Sequence, residues 1–320
     1  MKIAMIGHKR IPGREGGIEV VVEELTTRMA EKGNKVTAYN RHKKGFKCPH
    51  EYKGVRIVDV PTIEKKSTDA VVYSFIASIR SLFGKYDIIH YHAIGPSVFL
   101  IIPHLFGIKT VVTVHGLNYK TEYIPNGVTI QPEEKATMIT EKYGLAEKKY
   151  ILFLSRVVPG KGLEYLLDAY REVNCDLPLV IAGGTEYVEE FRRMMEDKAS
   201  KDSRVKMIGF VEGKVLRELY SNAKLFVFPS EAEGMPMCLL EAMSYNCPCL
   251  VSDIPENVEV GKNYVQYFES KNTIDLKKQL ERCLCNQEIR EVNTREYVME
   301  NYSWNTVVEE TMKLYEKVIE

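Results

Sequence analysis

The sequence predicts an α/β protein of two successive units, each built on a mainly parallel sheet. Three observations lead there. The chain has 320 residues, which suits two domains of ordinary size better than one. Short apolar runs, each ended by glycine, proline, histidine or an acid, alternate with helical stretches, the signature of strand–helix crossovers. That alternation starts afresh after about residue 128. Apolar residues make up 45% and charged residues 28% of the chain, the balance of a soluble globular protein. Basic and acidic side chains number 44 each, which argues against a nucleic-acid binder whose affinity rests on phosphate neutralisation.

The first unit opens with a strand at 2–6 and a loop at 7–17 holding Gly13, Gly16 and Gly17. Adjacent glycines after a first strand allow backbone to approach a ligand closely, or simply make a flexible turn. The helix expected at 20–32 repeats Val21, Leu25 and Met29 every four residues, one apolar face. Strands follow at 36–39 and 55–60, a helix at 70–83, and strands at 86–90 and 110–114. The last two end in His90 with His92 and in His115 with Gly116. Histidines at two neighbouring strand ends are placed to meet a ligand.

In the second unit a helix is expected at 132–143 and a strand at 149–154, followed by Ser155, Arg156, Pro159, Gly160, Lys161 and Gly162. Helix 163–170 and strand 178–182 follow, the strand ending in Gly183 and Gly184. The pattern continues with helix 187–199, strand 205–209, helix 214–221 and strand 225–228. Pro229 and Ser230 end that strand, Gly234 and Pro236 shape a tight loop, and 237–244 is helical. Strand 248–252 brings Asp253 to the same edge. Helices at 276–284, 287–299 and 303–318 finish the chain, the last with Trp304, Val307, Val308 and Tyr315 on a broad apolar face.

The chemistry concentrates in the loop and helix from 226 to 254. Glu233 and Glu241 stand with seven residues between them, one in the bend and one in the helix. A surface acid alone is most often merely solvated. A strand, loop and helix, however, put their bend in the crevice outside the carboxyl edge of an α/β sheet, where a helix N-terminus also favours anions. Arg156 and Lys161 leave the neighbouring strand toward that crevice. A guanidinium fork and a compact ammonium together suit a pyrophosphate; by composition alone they would be a solvated basic loop.

The string FVFPSEAEGMPMCLLEAM resembles the signature of the retaining nucleotide-sugar glycosyltransferases with the two-domain B-type fold (GT-B, group 1, family 4 type), which carry a Glu-x7-Glu motif before a Glu-Ala-Met helix. PGREGGIEVVVEEL resembles in particular the bacterial polysaccharide rhamnosyltransferases. The resemblance implies two Rossmann-like domains: an N-terminal acceptor-side domain at 1–128, a donor-binding domain at 129–300, and a last helix at 301–320 that crosses back to the first. It implies Glu233 against the donor sugar and Glu241 on the ribose hydroxyls, since a carboxylate suits a vicinal diol. Arg156 and Lys161 would take the donor diphosphate. Gly16 and Gly17 would face phosphate and acceptor, and Gly183, Gly184, Gly234 and Met235 would line the donor site. In VVTVHG, His115 would contact the donor sugar. Gly160 stands where many members have an acid.

The implied reaction moves a sugar from a UDP, GDP or dTDP donor to a glycan or polyprenyl-diphosphate-linked acceptor with retention of configuration. Departure of the nucleoside diphosphate builds charge that Arg156 and Lys161 would stabilise, so no metal is required. His115, Arg156, Lys161 and Glu233 are the expected catalytic group. One departure weighs against a working enzyme. VHGLNYK runs directly into TEYIPNGVTI, where the family has about two strands and two helices, so the first domain reads as missing a segment between Lys120 and Thr121. A degenerate nucleotide-sugar-binding or interaction module is the alternative.

Location follows from four further features. Seven cysteines without a regular framework point to a reducing cytosol. The opening MKIAMIGHKRI shows no signal peptide, and no apolar run is long enough to span a bilayer. The stretch RHKKGFKCPHEYK at 41–53 holds five Lys or Arg against one Glu, chemistry suited to a lipid diphosphate or to peripheral contact with the inner face of the plasma membrane.

Overall fold

The structure, a computed structural model, describes residues 1–13, 17–45, 47–63, 68–114, 123–184, 189–285 and 293–320. It divides into two compact units, Met1–Gly127 with Trp304–Glu320, and Val128–Ser303.

The first unit runs β1 (Lys2–Ile6), α1 (Gly17–Glu31), β2 (Lys35–Arg41), β3 (Glu51–Tyr52), β4 (Val55–Val60), α2 (Asp69–Ser81), β5 (Ile88–His92), α3 (Ile94–Ser97), α4 (Ile101–Leu105) and β6 (Lys109–Thr113). The strand order is β3-β4-β2-β1-β5-β6. All pairs are parallel except the short β3 against β4. In β1, Ile3 and Met5 enter the core cluster that holds α1, while Ala4 and Ile6 enter the one that holds Tyr73 and Ala77 of α2. Both faces are buried, as an apolar strand without alternation requires. The sheet ends at β6, whose residues are only half-buried where those of β5 are fully buried. Lys120 and Thr121, between which a segment was expected to be missing, lie outside the described residues.

The second unit runs α5 (Met138–Tyr143), β7 (Ile151–Leu154), α6 (Leu163–Arg171), β8 (Leu179–Ala182), α7 (Glu189–Ser200), β9 (Val205–Gly209), α8 (Gly213–Asn222), β10 (Leu225–Phe228), α9 (Met237–Ser244), β11 (Cys249–Ser252), α10 (Pro255–Gly261), β12 (Gln266–Phe268), α11 (Thr273–Cys285) and α12 (Thr294–Asn301). Its order is β12-β11-β10-β7-β8-β9, all parallel. The chain thus builds outward from β7 to β9, returns to β10 beside β7, and builds outward the other way. That is the doubly wound Rossmann-like order, with its reversal between β7 and β10.

The last helix, α13 (Trp304–Ile319), is part of the first unit. Trp304, Val307, Val308 and Tyr315 join the α1 core cluster. Lys32 pairs with Glu309 at 3.0 Å and Arg28 donates to Asn305 at 3.2 Å.

Three expected elements differ. The helix at 132–143 forms only over Met138–Tyr143, because α8 captures the preceding backbone. Glu218 accepts from Thr137 N, Thr137 Oγ1 and Ile139 N at 3.0, 2.6 and 3.0 Å, starting the helix there. The helix at 287–299 is described only as Thr294–Asn301, capped by Asn293, whose side chain accepts from Glu296 N. The strand expected at 86–90 begins two residues later, so His90 lies inside β5 and not at its end.

Candidate functional site

The loops after β7 and β10 leave the carboxyl edge of the second sheet side by side at the strand-order reversal, the place where α/β sheets hold their ligands. Glycine lets the β7 loop meet its neighbours after β10 and β8 backbone to backbone. Gly162 has φ +69°, and a Cβ there would lie 2.0 Å from Pro229 O; one at Gly183, φ +149°, would lie 1.7 Å from Ser155 O. No other residue fits either position without displacing the neighbouring strand end. Glu231 N donates to Gly160 O at 2.9 Å, which closes the junction.

Across this junction stand the opposite charges singled out in the sequence. Lys161 Nζ lies 2.5 Å from Glu233 Oε1, with only 15% and 10% of the two side chains exposed. Ser230 Oγ donates to the same oxygen at 2.6 Å. Ser230 is in turn fixed from β11: Ser252 Oγ donates to Ser230 O at 2.5 Å and Asn257 Nδ2 to Ser252 O at 3.0 Å. Glu233 is therefore oriented by a chain of bonds that runs through Ser230 to the end of β11 and on to α10. Arg156, on the same loop as Lys161, is exposed and makes no ion pair among the described residues.

Glu241 belongs to α9, eight residues on. Tyr220 of α8 donates its phenol to Glu241 Oε2 at 3.0 Å. The Tyr220 ring is buried, stacked on Tyr245 at 5.7 Å and edge-on to Phe226 at 5.8 Å. Burial, reinforced by the Glu241 charge, holds the phenol proton far above its ordinary range, so Tyr220 stays a donor. Burial first, then the charges of Glu241 and Glu233, push the Cys238 thiol up to about 12, which keeps it protonated and without nucleophilic character. Neither Tyr220 nor Ser230 was marked as functional by the sequence: a serine ending a strand and a tyrosine in a short helix carry no local signal.

Of the other expected residues, Gly16 and His115 lie outside the described residues. Gly17 is the exposed first residue of α1. Gly184 lies against Phe210, Gly234 is exposed, and Met235 packs on the core beneath α9. The first N–H of α9, on Met237, is taken by Met235 O at 2.9 Å, so it is not among the N–H groups that the helix N-terminus would offer an anion. Asp253 is at the carboxyl edge, where its Oδ1 accepts from Ser270 N at 2.8 Å.

At the first sheet's carboxyl edge the histidines are tied into the framework. His90 Nε2 is 2.6 Å from Thr113 Oγ1 and its Nδ1 2.6 Å from Tyr315 OH, with His92 stacked at 4.2 Å. The expectation that His90 meets a ligand is corrected: its two ring nitrogens are committed to β6 and α13. His8, after β1, is fully buried with Nε2 3.0 Å from Asn40 Oδ1. Since that oxygen also accepts from Ile11 N at 3.0 Å, Nε2 carries the proton. Burial outweighs the Asn40 bond and lowers the His8 pKa to about 4.

Residues 137–301, just over half of the chain, match the family model described as Glycosyl transferases group 1. Residues 15–157 match a second, Glycosyltransferase Family 4. Among curated proteins, an uncharacterized glycosyltransferase of Methanocaldococcus jannaschii is 32% identical over 54% of this chain and 46% of its own length. The match spans about half the length of this relative and of an Escherichia coli O-antigen chain mannosyltransferase. Among solved structures, sucrose-phosphate synthase of Thermosynechococcus elongatus superposes with a TM-score of 0.82 at 17% identity, covering 99% of this chain and 98% of that one. Anabaena HepE, solved with UDP and glucose, gives 0.77 at 14% identity over 99% and 100%. These two likenesses show the fold.

Proposed function

The chain belongs to the Glycosyl transferases group 1 family, and from that premise we propose that it transfers a sugar from a nucleoside-diphosphate donor to a hydroxyl of a glycan or lipid-linked acceptor, with retention at the anomeric carbon. The observation that carries this reading is the joined pair of loops at the β7–β10 reversal, where Lys161, Glu233 and Ser230 interlock beside an exposed Arg156.

Each group has a task. Arg156 and Lys161 receive the diphosphate and offset the negative charge that grows on it as the glycosidic bond breaks. Glu241, held by Tyr220, presents a carboxylate to the ribose diol. Glu233 orients Lys161 and faces the donor sugar hydroxyls, acting through position and charge. Its separation from any second carboxylate in a hydrolytic pair is not at issue, because the leaving group already departs as a stabilised diphosphate and needs no strong acid. His115 is assigned to the sugar on the resemblance of VVTVHG alone. The first unit is the acceptor side. The rhamnosyltransferase-like PGREGGIEVVVEEL makes a dTDP-linked deoxyhexose one donor to include, and UDP, the ligand of HepE, another.

Transfer is tested by incubating the protein with a panel of UDP-, GDP- and dTDP-sugars and polyprenyl-diphosphate-linked or free saccharide acceptors, following nucleoside diphosphate release and the anomeric configuration of the product by NMR. An α-linked product from an α-linked donor supports the reading. Tight donor binding without release of diphosphate under any acceptor would leave a nucleotide-sugar-binding module instead.

A further inference from the structure

Two acids stand two residues apart in the loop after β10, and their cations differ in kind. Glu231 pairs with Lys271 at 2.8 Å, a lysine 58% exposed in the loop after β12. Glu233 pairs with Lys161 at 2.5 Å, and the two side chains are only 10% and 15% exposed. A surface pair is weak and screened by water and salt; a pair this far out of water is felt strongly by any third charge that reaches it. Glu231 therefore has a cation to itself, whereas Glu233 holds one of the two cations assigned to the donor diphosphate.

Only one partner of the inner pair can give way. Glu233 Oε1 also accepts from Ser230 Oγ at 2.6 Å, and Ser230 is tied through Ser252 to Asn257. The loop is fixed besides by Glu231 N, which donates to Gly160 O at 2.9 Å. Lys161 has a flexible four-carbon stem and three N–H donors, one of which goes to Glu233. An arriving phosphate takes the others, but it shares the ammonium with a carboxylate that stays where it is. Glu233 Oε2 accepts no bond among the described residues, which leaves it for a sugar hydroxyl.

We propose that Glu233 withholds part of the Lys161 charge from the diphosphate, and so sets the site's preference for a sugar-bearing nucleoside diphosphate over the free one. This rests on the donor site proposed above. On the intact donor, a sugar hydroxyl stands between Glu233 and the phosphate and donates to the carboxylate. On the free nucleoside diphosphate no hydroxyl stands there, and the terminal phosphate carries an extra negative charge above its second ionisation, at about pH 6. Carboxylate and phosphate then compete for one ammonium in a site with little water. The free diphosphate is held less tightly than Arg156 and Lys161 alone would hold it, which speeds its departure. Glu233 thereby acts on specificity and product release, in addition to orienting Lys161.

The test is calorimetric titration, at about pH 8 so that the terminal phosphate is fully ionised, of UDP, GDP and dTDP and of UMP, GMP and dTMP. The proteins are the wild type, Glu233→Gln, Glu233→Asp and Glu231→Gln. For the diphosphate that binds the wild type best, Glu233→Gln is expected to gain about tenfold in affinity, and Glu233→Asp, whose carboxylate is drawn back from Lys161, about threefold. The matching monophosphate, which lacks the terminal group, should gain less than about twofold, and so should the diphosphate on Glu231→Gln. Melting curves identify the folded variants, and Glu233→Asp carries the test if Glu233→Gln does not fold. A folded Glu233 variant whose diphosphate affinity is unchanged or weaker overturns the inference and leaves the donor site standing. An equal gain for monophosphate and diphosphate overturns it too, since Glu233 would then act as a general charge and not through Lys161. Binding of no nucleoside diphosphate to the wild type removes the donor site itself, and this inference with it.

Discussion

Lys161 Nζ lies 2.5 Å from Glu233 Oε1, a bond between residues 72 apart in sequence that joins the loops on either side of the strand-order reversal. The pair sets a cation and a carboxylate, both mostly buried, at the point where the proposed function has a diphosphate and a sugar meet. Removing one partner leaves the other charge desolvated and unanswered. Lys161→Met, which keeps the length and loses the charge, is therefore expected to lower kcat by about a hundredfold or more and to depress the melting temperature. Steady-state kinetics and a thermal melt of the same preparation read both effects.

Ser230, fully buried, acts on the same carboxylate from within the fold. Its hydroxyl, 2.6 Å from Glu233 Oε1, is worth about 1–3 kcal/mol as a bond to a charged group. Ser230→Ala is expected to lower kcat about tenfold with little change in donor KM. Ser230→Thr, which restores a hydroxyl, should recover part of the loss. A fall in stability with kinetics unchanged would reduce Ser230 to a framework residue.

Tyr220→Phe removes only the proton given to Glu241 at 3.0 Å and keeps the ring that packs on Tyr245 and Phe226. If Glu241 takes the ribose diol, the variant is expected to raise the KM of ribonucleotide donors by roughly fivefold to tenfold, the worth of about 1 kcal/mol. Donors lacking the 2′-hydroxyl should be affected less. Comparing UDP and 2′-deoxy-UDP as competitive inhibitors of the variant and wild type measures the difference directly.

Acid should weaken the fold in two separable windows. The His8 pKa in the folded protein, about 4, is below its ordinary 6.5, so the unfolded chain binds the extra proton first. Its contribution is full above about pH 6.5 and is lost as pH falls toward 4, amounting to about 3 kcal/mol for a shift of this size. For Glu218, burial alone would raise the pKa, but bonds from Thr137 and from the N–H groups of Ile139 and Met138 outweigh it and bring the value down to about 2 from 4.5. Its contribution is present above pH 4.5 and lost on the way to 2. Denaturation at a series of pH values should show His8→Gln flattening the upper window and Glu218→Gln the lower one.

Much of the candidate site's placement was legible because its residues are local to two loops. Pro229, Gly234 and Pro236 mark the bend that holds Glu233, and the strand end at Leu154 is followed at once by Arg156 and Lys161. The supports were not legible, because they depend on how helices pack. Tyr220 reaches Glu241 across 21 residues, and Glu218 reaches Thr137 across 81, with no pattern at either end. The same cause shortened the helix read at 132–143: Glu218 starts it at Met138 whatever the local propensity. His90 was read as a strand end because apolar runs do not fix strand limits. The parallel ladder to β1 and β6 carries β5 through to His92 and turns the His90 ring toward Thr113 and Tyr315.

The account stands or falls on the diphosphate site proposed at Arg156 and Lys161. Calorimetric titration of UDP, GDP and dTDP into wild type, Arg156→Ala and Lys161→Ala tests it most directly. At least one nucleotide should bind the wild type, and each variant should weaken that affinity by about tenfold or more, as loss of a charge-assisted contact requires. Binding of none of the three to the wild type, or undiminished affinity in both correctly folded variants, would contradict it.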